Sequence, residues 1–189
     1  MYNGGESPLS TSTNCEHWPM KRAARAIPPP PPPDPEEEYL KLENQLCFPL
    51  YAASRLMVNA YRPLLTELGL TYPQYLVLLV LWEHDGLSVG AIGDLLLLDS
   101  GTLTPVLKRM MAQGMIVRSR SSGDDRVVEN WLTAKAKAMK KDAVRVPITL
   151  ICNAGIEMGE LVRMREMLGG LIASLQKIQA GAPPASGDE

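Results

Sequence analysis

A cysteine followed by tyrosines is the part of this sequence with the clearest capacity for chemistry. Cys47 lies in the apolar and aromatic run from Leu46 to Tyr51, and two further tyrosines follow as Tyr61 and Tyr72. A cysteine reacts as its thiolate, and hydrogen-bond donors such as phenolic hydroxyls stabilise a thiolate. These residue types make Cys47 a candidate sensor. A single cysteine in a helix is also common as inert core filler, which is the alternative interpretation.

The spacing of these residues limits how they can meet. Tyr61 lies fourteen positions after Cys47, which is about 21 Å along the axis if one helix holds both. No side chain spans that distance. Either the helix breaks between them, or the hydroxyl that reaches Cys47 comes from a second subunit. We favour the second subunit.

The charge of the chain is unevenly distributed. Its 189 residues have a formal net charge of −2, and 46% are hydrophobic, which is enough to form the core of one domain, or of one domain with a tail. The segment from Asp99 to Arg145 nevertheless contains ten basic and five acidic residues. A basic patch on an otherwise acidic protein favours a phosphate-binding face, although lysines on a solvated helix give the same count.

The three cysteines are an odd number at wide spacing and do not make a disulfide framework. Nothing has the paired spacing of a zinc site, so we expect reduced thiols, no metal and no cofactor. No apolar run approaches the length of a membrane span, about 20 residues, and the N-terminus has no hydrophobic signal core. We therefore expect a soluble, cytoplasmic protein.

The two ends of the chain have compositions that disfavour folding. Residues 1–35 combine Gly, Ser, Thr and Asn with the proline tract 28–33, and such a segment buries too little surface to offset its ordering entropy. We expect a disordered extension, in which the prolines act as a stiff spacer, follow a misassigned start codon or bind a proline-recognising partner. Cys15 and His17 within it receive no role, and residues 179–189 are predicted to be a disordered tail.

The segment from Glu36 to Ala60 has acidic residues in its first turn and leucines at helical spacing. It is predicted to be one helix that carries Cys47. Pro49 is predicted to kink this helix, because proline removes a backbone donor. Pro63 is predicted to open a short second helix that ends near Gly69.

A helix-turn-helix with a wing is predicted next. Thr71 to Gln74 has the spacing of a capping box and begins a third helix, which is apolar on all sides and therefore buried. Ser88 and Asp99 can each cap one of two short helices joined by a tight turn. Two strands, at 115–120 and 126–132, surround a turn-rich tip and form the wing.

The remainder of the chain is predicted to be helical. A lysine-rich helix begins at Thr133, and apolar residues then recur every three to five positions over 153–178. A continuous apolar stripe on the terminal helices of a small winged domain usually needs a second copy to cover it. We therefore predict a mainly α-helical homodimer with a small β wing. Its winged helix-turn-helix is expected at about 71–132, with dimerisation helices at about 36–62 and 133–178.

The order of these elements resembles the MarR family of dimeric winged-helix transcription regulators over roughly residues 36–178. Four motifs narrow the resemblance to the organic hydroperoxide resistance regulators within that family. They are Leu46-Cys47-Phe48, Tyr61-Arg62-Pro63-Leu64-Leu65, Leu70-Thr71-Tyr72-Pro73-Gln74-Tyr75 and Leu98-Asp99-Ser100-Gly101-Thr102-Leu103-Thr104-Pro105. The resemblance implies a repressor that binds a palindromic double-stranded DNA operator as a homodimer, with an organic hydroperoxide as its signal.

The resemblance also implies roles for the cysteines. Cys47 would be oxidised by the hydroperoxide, with the tyrosines at 61 and 72 supplied by the partner subunit to bond it. Cys152 stands where one branch of the subgroup carries a second cysteine that forms a disulfide with the oxidised first one across the dimer. We expect Phe48 and Tyr51 to shape an apolar approach to the sensor that favours bulky organic peroxides.

For DNA, the resemblance implies contacts from the second helix of the helix-turn-helix and from the wing. The start of that helix would face base edges in the major groove, and basic side chains further along would contact phosphates. Arg126 at the wing tip would enter a minor groove with Asp124 bracing the loop, although the two could form only a surface ion pair. The DNA-contacting residues are then Ser100, Gly101, Thr102, Thr104, Pro105, Lys108, Arg109, Arg118, Arg120, Asp124 and Arg126.

Two other functions compete with this interpretation. A regulator of the same family could respond to a small aromatic acid bound between its dimerisation and DNA-binding parts, with the tyrosines as ordinary interface aromatics. A thiol peroxidase would belong to a different class, but the sequence has no paired acid, base or cofactor motifs for efficient turnover. We therefore expect a regulator and not an enzyme.

Overall fold

The computed structural model describes residues 36–120 and 128–181. Within these ranges the chain is mainly helical, with one three-stranded antiparallel sheet and a boundary between two compact units after Leu50. The elements are α1 (Glu36–Tyr39), a 3-10 turn (Leu42–Asn44), α2 (Cys47–Glu67), α3 (Tyr72–Glu83), β1 (Leu87–Ser88), α4 (Val89–Leu96), α5 (Ser100–Ala112), β2 (Ile116–Arg120), β3 (Val128–Leu132), α6 (Ala134–Ala143), α7 (Arg145–Ala154) and α8 (Met158–Gln179). No single helix in these ranges is long and apolar enough to cross a membrane, although two bent helix pairs meet the length and composition criteria together. The expected disordered extension at 1–35, with Cys15 and His17, lies outside the described residues, as do residues 182–189 of the expected tail. Gln179, which the sequence analysis assigned to the tail, is instead the last residue of α8.

The first predicted helix, from Glu36 to Ala60, is wrong as a single element. The chain instead forms α1, the 3-10 turn and α2, and extended backbone at Lys41 and Gln45 ends the two preceding turns. Pro49 explains where α2 begins. In a longer helix it could not donate to the carbonyl of Gln45, whereas as the third residue of α2 it needs no such bond. Pro49 therefore lies in a first turn and does not kink a longer helix.

The prediction that Pro63 opens a second helix is also wrong, because α2 continues through it to Glu67. A proline inside a helix leaves the carbonyl four residues earlier, here that of Asn59, without its usual donor. Side chains add bonds around this gap: Arg62 Nη2 donates to Asn59 Oδ1 at 3.1 Å, and the Thr66 hydroxyl donates to the Arg62 carbonyl at 2.8 Å. The helix tolerates the proline in this setting.

The third helix, α3, is confirmed as a buried helix. Thr71 is its N-cap in a capping box, and the Thr71 N–H donates to Gln74 Oε1 at 2.9 Å. Buried side chains occur on several sides of α3, as an apolar helix enclosed by others requires. Residues from α2, α4 and α5 complete this core, and those with no exposed surface include Leu65, Val77, Leu78, Ile92, Leu103, Leu107 and Met110.

The predicted helix-turn-helix is formed by α4 and α5. Ser88 caps α4 by accepting from the Ala91 N–H at 3.1 Å, and Asp99 caps α5 by accepting from the Thr102 N–H at 2.8 Å. The two helices are bent by 114°, within the range of about 90–120° for this motif. The sequence therefore predicts both the helices and their caps correctly.

The turn between α4 and α5 is tightly closed. The Leu98 N–H donates to the Gly93 carbonyl at 2.9 Å, and Leu97 adopts a left-handed conformation with φ 55°. A Cβ on Gly93 would lie 2.6 Å from the Leu98 carbonyl oxygen. Glycine is required at this position because the backbone of the turn approaches too closely for any side chain.

The wing is an antiparallel sheet with strand order β1-β3-β2. The pairing aligns Ile116 with Leu132 and Arg118 with Asn130. The two predicted strands are present, and their connecting residues 121–127 lie outside the described part of the chain. The short strand β1 was not predicted; it pairs with β3 and places Leu87 opposite Asn130.

The C-terminal helices begin as predicted, with Thr133 as the N-cap of α6 through its bond to the Ala136 N–H. The predicted apolar stripe lies mainly on α8. The sequence did not predict α7 as a separate helix. This helix ends before Gly155, which has φ 63°. Large apolar side chains on α8 are exposed in this single chain, among them Met164, Met167, Leu168, Ile172, Leu175 and Ile178.

Candidate functional site

The candidate sensor, Cys47, is the first residue of α2 and its thiol is exposed. The positive end of a helix dipole, where the backbone N–H groups are unpaired, favours a negative charge nearby. Because α2 is continuous from Cys47 to Glu67, the helix does not break between Cys47 and Tyr61. That removes one of the two alternatives left by the sequence, and a hydroxyl from a second subunit stays a prediction.

The two predicted tyrosines do come together, and a third joins them. The ring centroids of Tyr61 and Tyr72 are 5.2 Å apart, and those of Tyr61 and Tyr75 are 5.8 Å apart. Burial is the main cause that raises the pKa of each of these three phenols. The tyrosine cluster (Tyr61, Tyr72 and Tyr75) therefore keeps its protons at neutral pH and offers hydroxyl donors. Tyr75 was missed as a member because the sequence gives no sign of its direction on α3.

The residues predicted to shape the approach of the oxidant lie on α2. Phe48 is exposed and lines a cleft of about 460 Å³ together with residues 41–43. Tyr51 is exposed, and its hydroxyl accepts a hydrogen bond from Arg55 Nη1 at 3.1 Å. The Arg55 guanidinium also lies 5.5 Å from the centroid of the Tyr51 ring. Arg55 therefore holds the orientation of Tyr51 along the helix.

The candidate second cysteine, Cys152, lies in the last turn of α7 and is exposed. Its carbonyl accepts a hydrogen bond from the Gly155 N–H at 3.2 Å, in the turn that ends the helix. Cys152 is thus next to the interruption between α7 and α8, where few backbone bonds must break for a local movement. Both described cysteines are free thiols.

The predicted base-reading residues form the first turns of α5. Ser100, Gly101, Thr102 and Pro105 are exposed, and Thr104 is partly exposed. The Thr102 hydroxyl donates to Asp99 Oδ2 at 2.7 Å, and the Thr104 hydroxyl donates to the Ser100 carbonyl at 2.6 Å. Because these hydroxyl protons are already used, the oxygens can act toward a ligand as acceptors.

The predicted basic contacts differ in their exposure. Lys108, Arg109 and Arg120 are exposed. Arg118 is instead partly buried: its Nε donates to Asn130 Oδ1 at 3.2 Å across the β2–β3 pair, and its buried Nη2 has no hydrogen-bond partner among the described residues. Arg118 therefore has a bond within the wing. Asp124 and Arg126 lie outside the described residues. Among the residues that are described, no cluster of His, Cys, Asp or Glu could hold a metal ion.

One residue that positions the wing was missed by the sequence analysis. Asp85 Oδ1 accepts hydrogen bonds from the Leu132 N–H at 2.8 Å and the Gly86 N–H at 3.1 Å, and Asp85 Oδ2 pairs with Lys137 Nζ at 2.9 Å. This carboxylate thereby ties the end of α3 to β3 and α6. The adjacent Asp85-Gly86 dipeptide indicates a turn, but not its partner 47 residues later.

Comparison with known proteins decides the family. The sequence signature of the MarR family matches residues 70–128, from the start of α3 into the wing. The organic hydroperoxide resistance transcriptional regulator of Bacillus subtilis is 48% identical over 140 residues, which cover 74% of this chain and 95% of that protein. The chain belongs to the MarR family. As a MarR-family protein it is a transcription regulator and not an enzyme, as the sequence predicts.

Solved MarR-family structures have the same fold. The structure of reduced AbfR bound to DNA matches with a TM-score of 0.64 at 33% identity, over 75% of this chain and 97% of that one. The structure of disulfide-formed AbfR matches with a TM-score of 0.53 at 33% identity, over 76% and 96%. These matches confirm the predicted fold class, a mainly helical winged helix-turn-helix with a small β wing.

Proposed function

We propose that this MarR-family regulator binds operator DNA as a repressor and leaves it when an organic hydroperoxide oxidises Cys47. The observation that carries the proposal is the exposed thiol of Cys47 on the first residue of a helix, in a chain that also contains a cluster of protonated tyrosines. The name of the Bacillus subtilis relative, at 48% identity, supports an organic hydroperoxide as the signal. Such a regulator would act in the cytoplasm, where its operator is.

A homodimer supplies the missing contact between the thiol and the tyrosines. Since α2 is unbroken, the phenols that bond the Cys47 thiolate are those of Tyr61 and Tyr72 from the partner subunit. The exposed apolar side chains of α8, together with Leu56 and Met57 on α2, supply the surface that a second copy would bury. Two copies related by a two-fold axis would read a palindromic operator.

The chemistry proceeds in two steps. The Cys47 thiolate attacks the distal oxygen of the hydroperoxide, so that an S–O bond forms, the O–O bond breaks and the corresponding alcohol leaves after protonation. The Cys152 thiolate of the other subunit then attacks the sulfenic sulfur, so that the S–S bond forms, the S–O bond breaks and hydroxide leaves and is protonated to water. The disulfide protects Cys47 from further oxidation and is reversible with a dithiol.

The disulfide also supplies the movement that releases DNA. Two bonded cysteines need Cα atoms within about 7 Å, and Cys152 lies beside the interruption between α7 and α8 that can yield. A displacement of these helices would reorient the two α5 helices and their wings, which must match successive grooves of one operator. The structure of disulfide-formed AbfR, a relative at 33% identity, supports this kind of switch.

The DNA surface in this proposal begins at Ser100 and continues along α5 to the wing. Acceptor oxygens of Thr102 and Thr104 would face base edges, while Lys108, Arg109 and Arg120 would bond phosphates. Arg126 and Asp124, which lie outside the described residues, are included in this proposal as further DNA-contacting residues. The AbfR structure with bound DNA supports DNA binding by this fold.

Operator binding with and without cumene hydroperoxide tests this function. Wild-type protein should release its operator and rebind after dithiothreitol, Cys47→Ser should stay bound, and Cys152→Ser should release but lose reversibility as Cys47 overoxidises. A Cys47→Ser protein that still responds to the peroxide would contradict the thiol mechanism. Comparing oxidation rates with cumene hydroperoxide and hydrogen peroxide tests the preference for bulky oxidants, and equal rates would refute it.

A groove favours a second candidate, reversible binding of a small aromatic ligand. The groove holds about 480 Å³ between α3 and the helices α6 and α7, and Tyr75, Leu79, Trp82, Lys140 and Ile148 are among its lining residues. Its lining is mostly apolar and includes the cation of Lys140 and the carboxylate of Glu83; the apolar walls and the cation are the features that would suit an aromatic acid. In this case Cys47→Ser would release DNA with the ligand as readily as wild type.

A further inference from the structure

One residue at the end of α5 is bonded from two other helices. Gln113, the C-cap of α5, accepts a hydrogen bond at its side-chain Oε1 from Gln74 Nε2 at 2.7 Å. Its backbone carbonyl accepts a second bond from Lys135 Nζ at 3.0 Å. The C-terminal end of the DNA-reading helix is therefore connected to the beginning of α3 and to the beginning of α6.

The orientation of Gln74 is fixed by a bond on each side of its amide. Gln74 is only 3% exposed, and its Oε1 accepts from the Thr71 N–H in the capping box. This leaves its Nε2 to donate to Gln113. A buried amide with both ends bonded specifies one arrangement, because losing either partner leaves a polar group unsatisfied.

Gln74 also lies next to the tyrosine cluster. It is two residues after Tyr72 in the first turn of α3, and Tyr75 follows it directly. A shift or rotation of this turn, which carries two of the three phenols, would therefore move the Gln74 amide as well. The bond to Gln113 would pass that displacement to α5 without any change in the core between them.

The connection from α6 has the same character. Lys135 lies in the first turn of α6, and the neighbouring Thr133 hydroxyl donates to the Gly114 carbonyl at 2.8 Å. The backbone N–H of Thr133 donates to the Met115 carbonyl at 3.0 Å. The end of α5 and the start of α6 are thus bonded to each other, and α6 leads into α7, which carries Cys152.

We infer that Gln74 and Gln113 are a positioning pair that couples the tyrosine-bearing turn of α3 to the DNA-reading helix. The inference rests on the proposed function, in which the environment of these tyrosines changes on oxidation. With 13 residues, α5 is about 20 Å long, so a tilt of about 3° set at Gln113 moves its DNA-facing end by about 1 Å. Hydrogen bonds to bases do not tolerate errors of that size at several positions together.

The test compares operator affinity in reduced and peroxide-treated protein for Gln74→Met, Gln113→Met and the double variant. Methionine keeps the length of the side chain but has no amide group to form this hydrogen bond. Each variant should oxidise at Cys47 at the wild-type rate, while the loss of affinity on oxidation shrinks by about fivefold or more. The double variant should equal Gln74→Met, because the bond between the two amides is already lost in either single variant, and Gln74→Met also loses the bond from the Thr71 N–H. Gln179→Met, on the exposed last residue of α8, is the matched control and should respond like wild type.

A second arm needs no peroxide and separates this inference from the redox proposal. Tyr72→Ala alters the same turn of α3, and its effect on operator affinity should be several-fold smaller when Gln74 is already Met. If wild type ignores peroxide, the redox proposal fails while this arm still tests the pair. Additive effects of Tyr72→Ala and Gln74→Met would overturn the inference, as would single variants that oxidise normally and release DNA as fully as wild type.

Discussion

Removing the Asp85 carboxylate should lower the free energy of unfolding more than removing its ion pair with Lys137 does, because the carboxylate also holds β3 through the Leu132 N–H. In Asp85→Ala, the Leu132 N–H loses its acceptor in a residue that is only 7% exposed, which costs about 1–3 kcal/mol. The bond from the Gly86 N–H adds about 1 kcal/mol. The pair with Lys137, whose side chain is 58% exposed, adds under about 1 kcal/mol. We expect a total loss of about 3 kcal/mol in the free energy of unfolding.

Two milder variants separate the contribution of the hydrogen bonds of Asp85 to the free energy of unfolding from that of its charge. Asp85→Asn keeps an acceptor oxygen for Leu132 but removes the charge, so it should cost about 1 kcal/mol, and Lys137→Met should cost less than about 1 kcal/mol. Urea denaturation at one protein concentration measures all three, because the stability of a dimer depends on concentration. An Asp85→Ala protein no less stable than Lys137→Met would refute the assignment of Asp85 as the anchor of β3.

Three further predictions follow from the geometry. Gly93→Ala should lower the free energy of unfolding by about 1–3 kcal/mol in urea titrations, because its Cβ would lie 2.6 Å from the Leu98 carbonyl oxygen; wild-type stability would show that the turn can relax. The raised pKa values of the tyrosine cluster mean that its contribution to stability is complete below the unfolded value near 10.0 and is lost as pH rises through the folded values. Urea titrations from pH 9 to 11 should show this loss and a smaller one in Tyr61→Phe, and equal losses would contradict it. Phe48→Ala should slow Cys47 oxidation by cumene hydroperoxide several-fold more than by hydrogen peroxide in stopped-flow assays, if the ring binds the organic part of the oxidant.

Local chemistry made the helix starts predictable. The side chains of Ser88, Asp99 and Thr133 each accept from an N–H in the following turn, and the Thr71 N–H donates to the Gln74 side chain. Each of these bonds depends only on residues three positions apart. Gly114, the glycine that follows α5, has φ 67°, and a glycine at such a position is a local signal of a helix end. Capping signals of this kind do not depend on contacts with distant parts of the chain.

The two prolines of α2 show where local rules fail. Proline is compatible with a first turn and also with an interior position when the surroundings compensate. The sequence assigned Pro49 to the interior and Pro63 to a start, and the structure has the reverse. The choice depends on packing, for example on burying Leu65 completely against the core, which no pattern of neighbouring residues reveals.

Contacts between distant residues were also beyond the sequence. The sequence predicts a site formed by Cys47 and two tyrosines, but neither the third tyrosine nor the bond from Gln74 to Gln113, 39 residues apart, has a local signature. The strand β1 is likewise defined only by its pairing with β3. These are the features that position the candidate site, and they required coordinates.

The most direct test of the central claim is a titration of operator DNA with the purified protein before and after one equivalent of cumene hydroperoxide, with non-reducing gels run on the same samples. The thiol mechanism predicts loss of binding together with a dimer-sized disulfide species that disappears with dithiothreitol and is missing in both Cys47→Ser and Cys152→Ser. Unchanged operator affinity in protein whose Cys47 is demonstrably oxidised would contradict it.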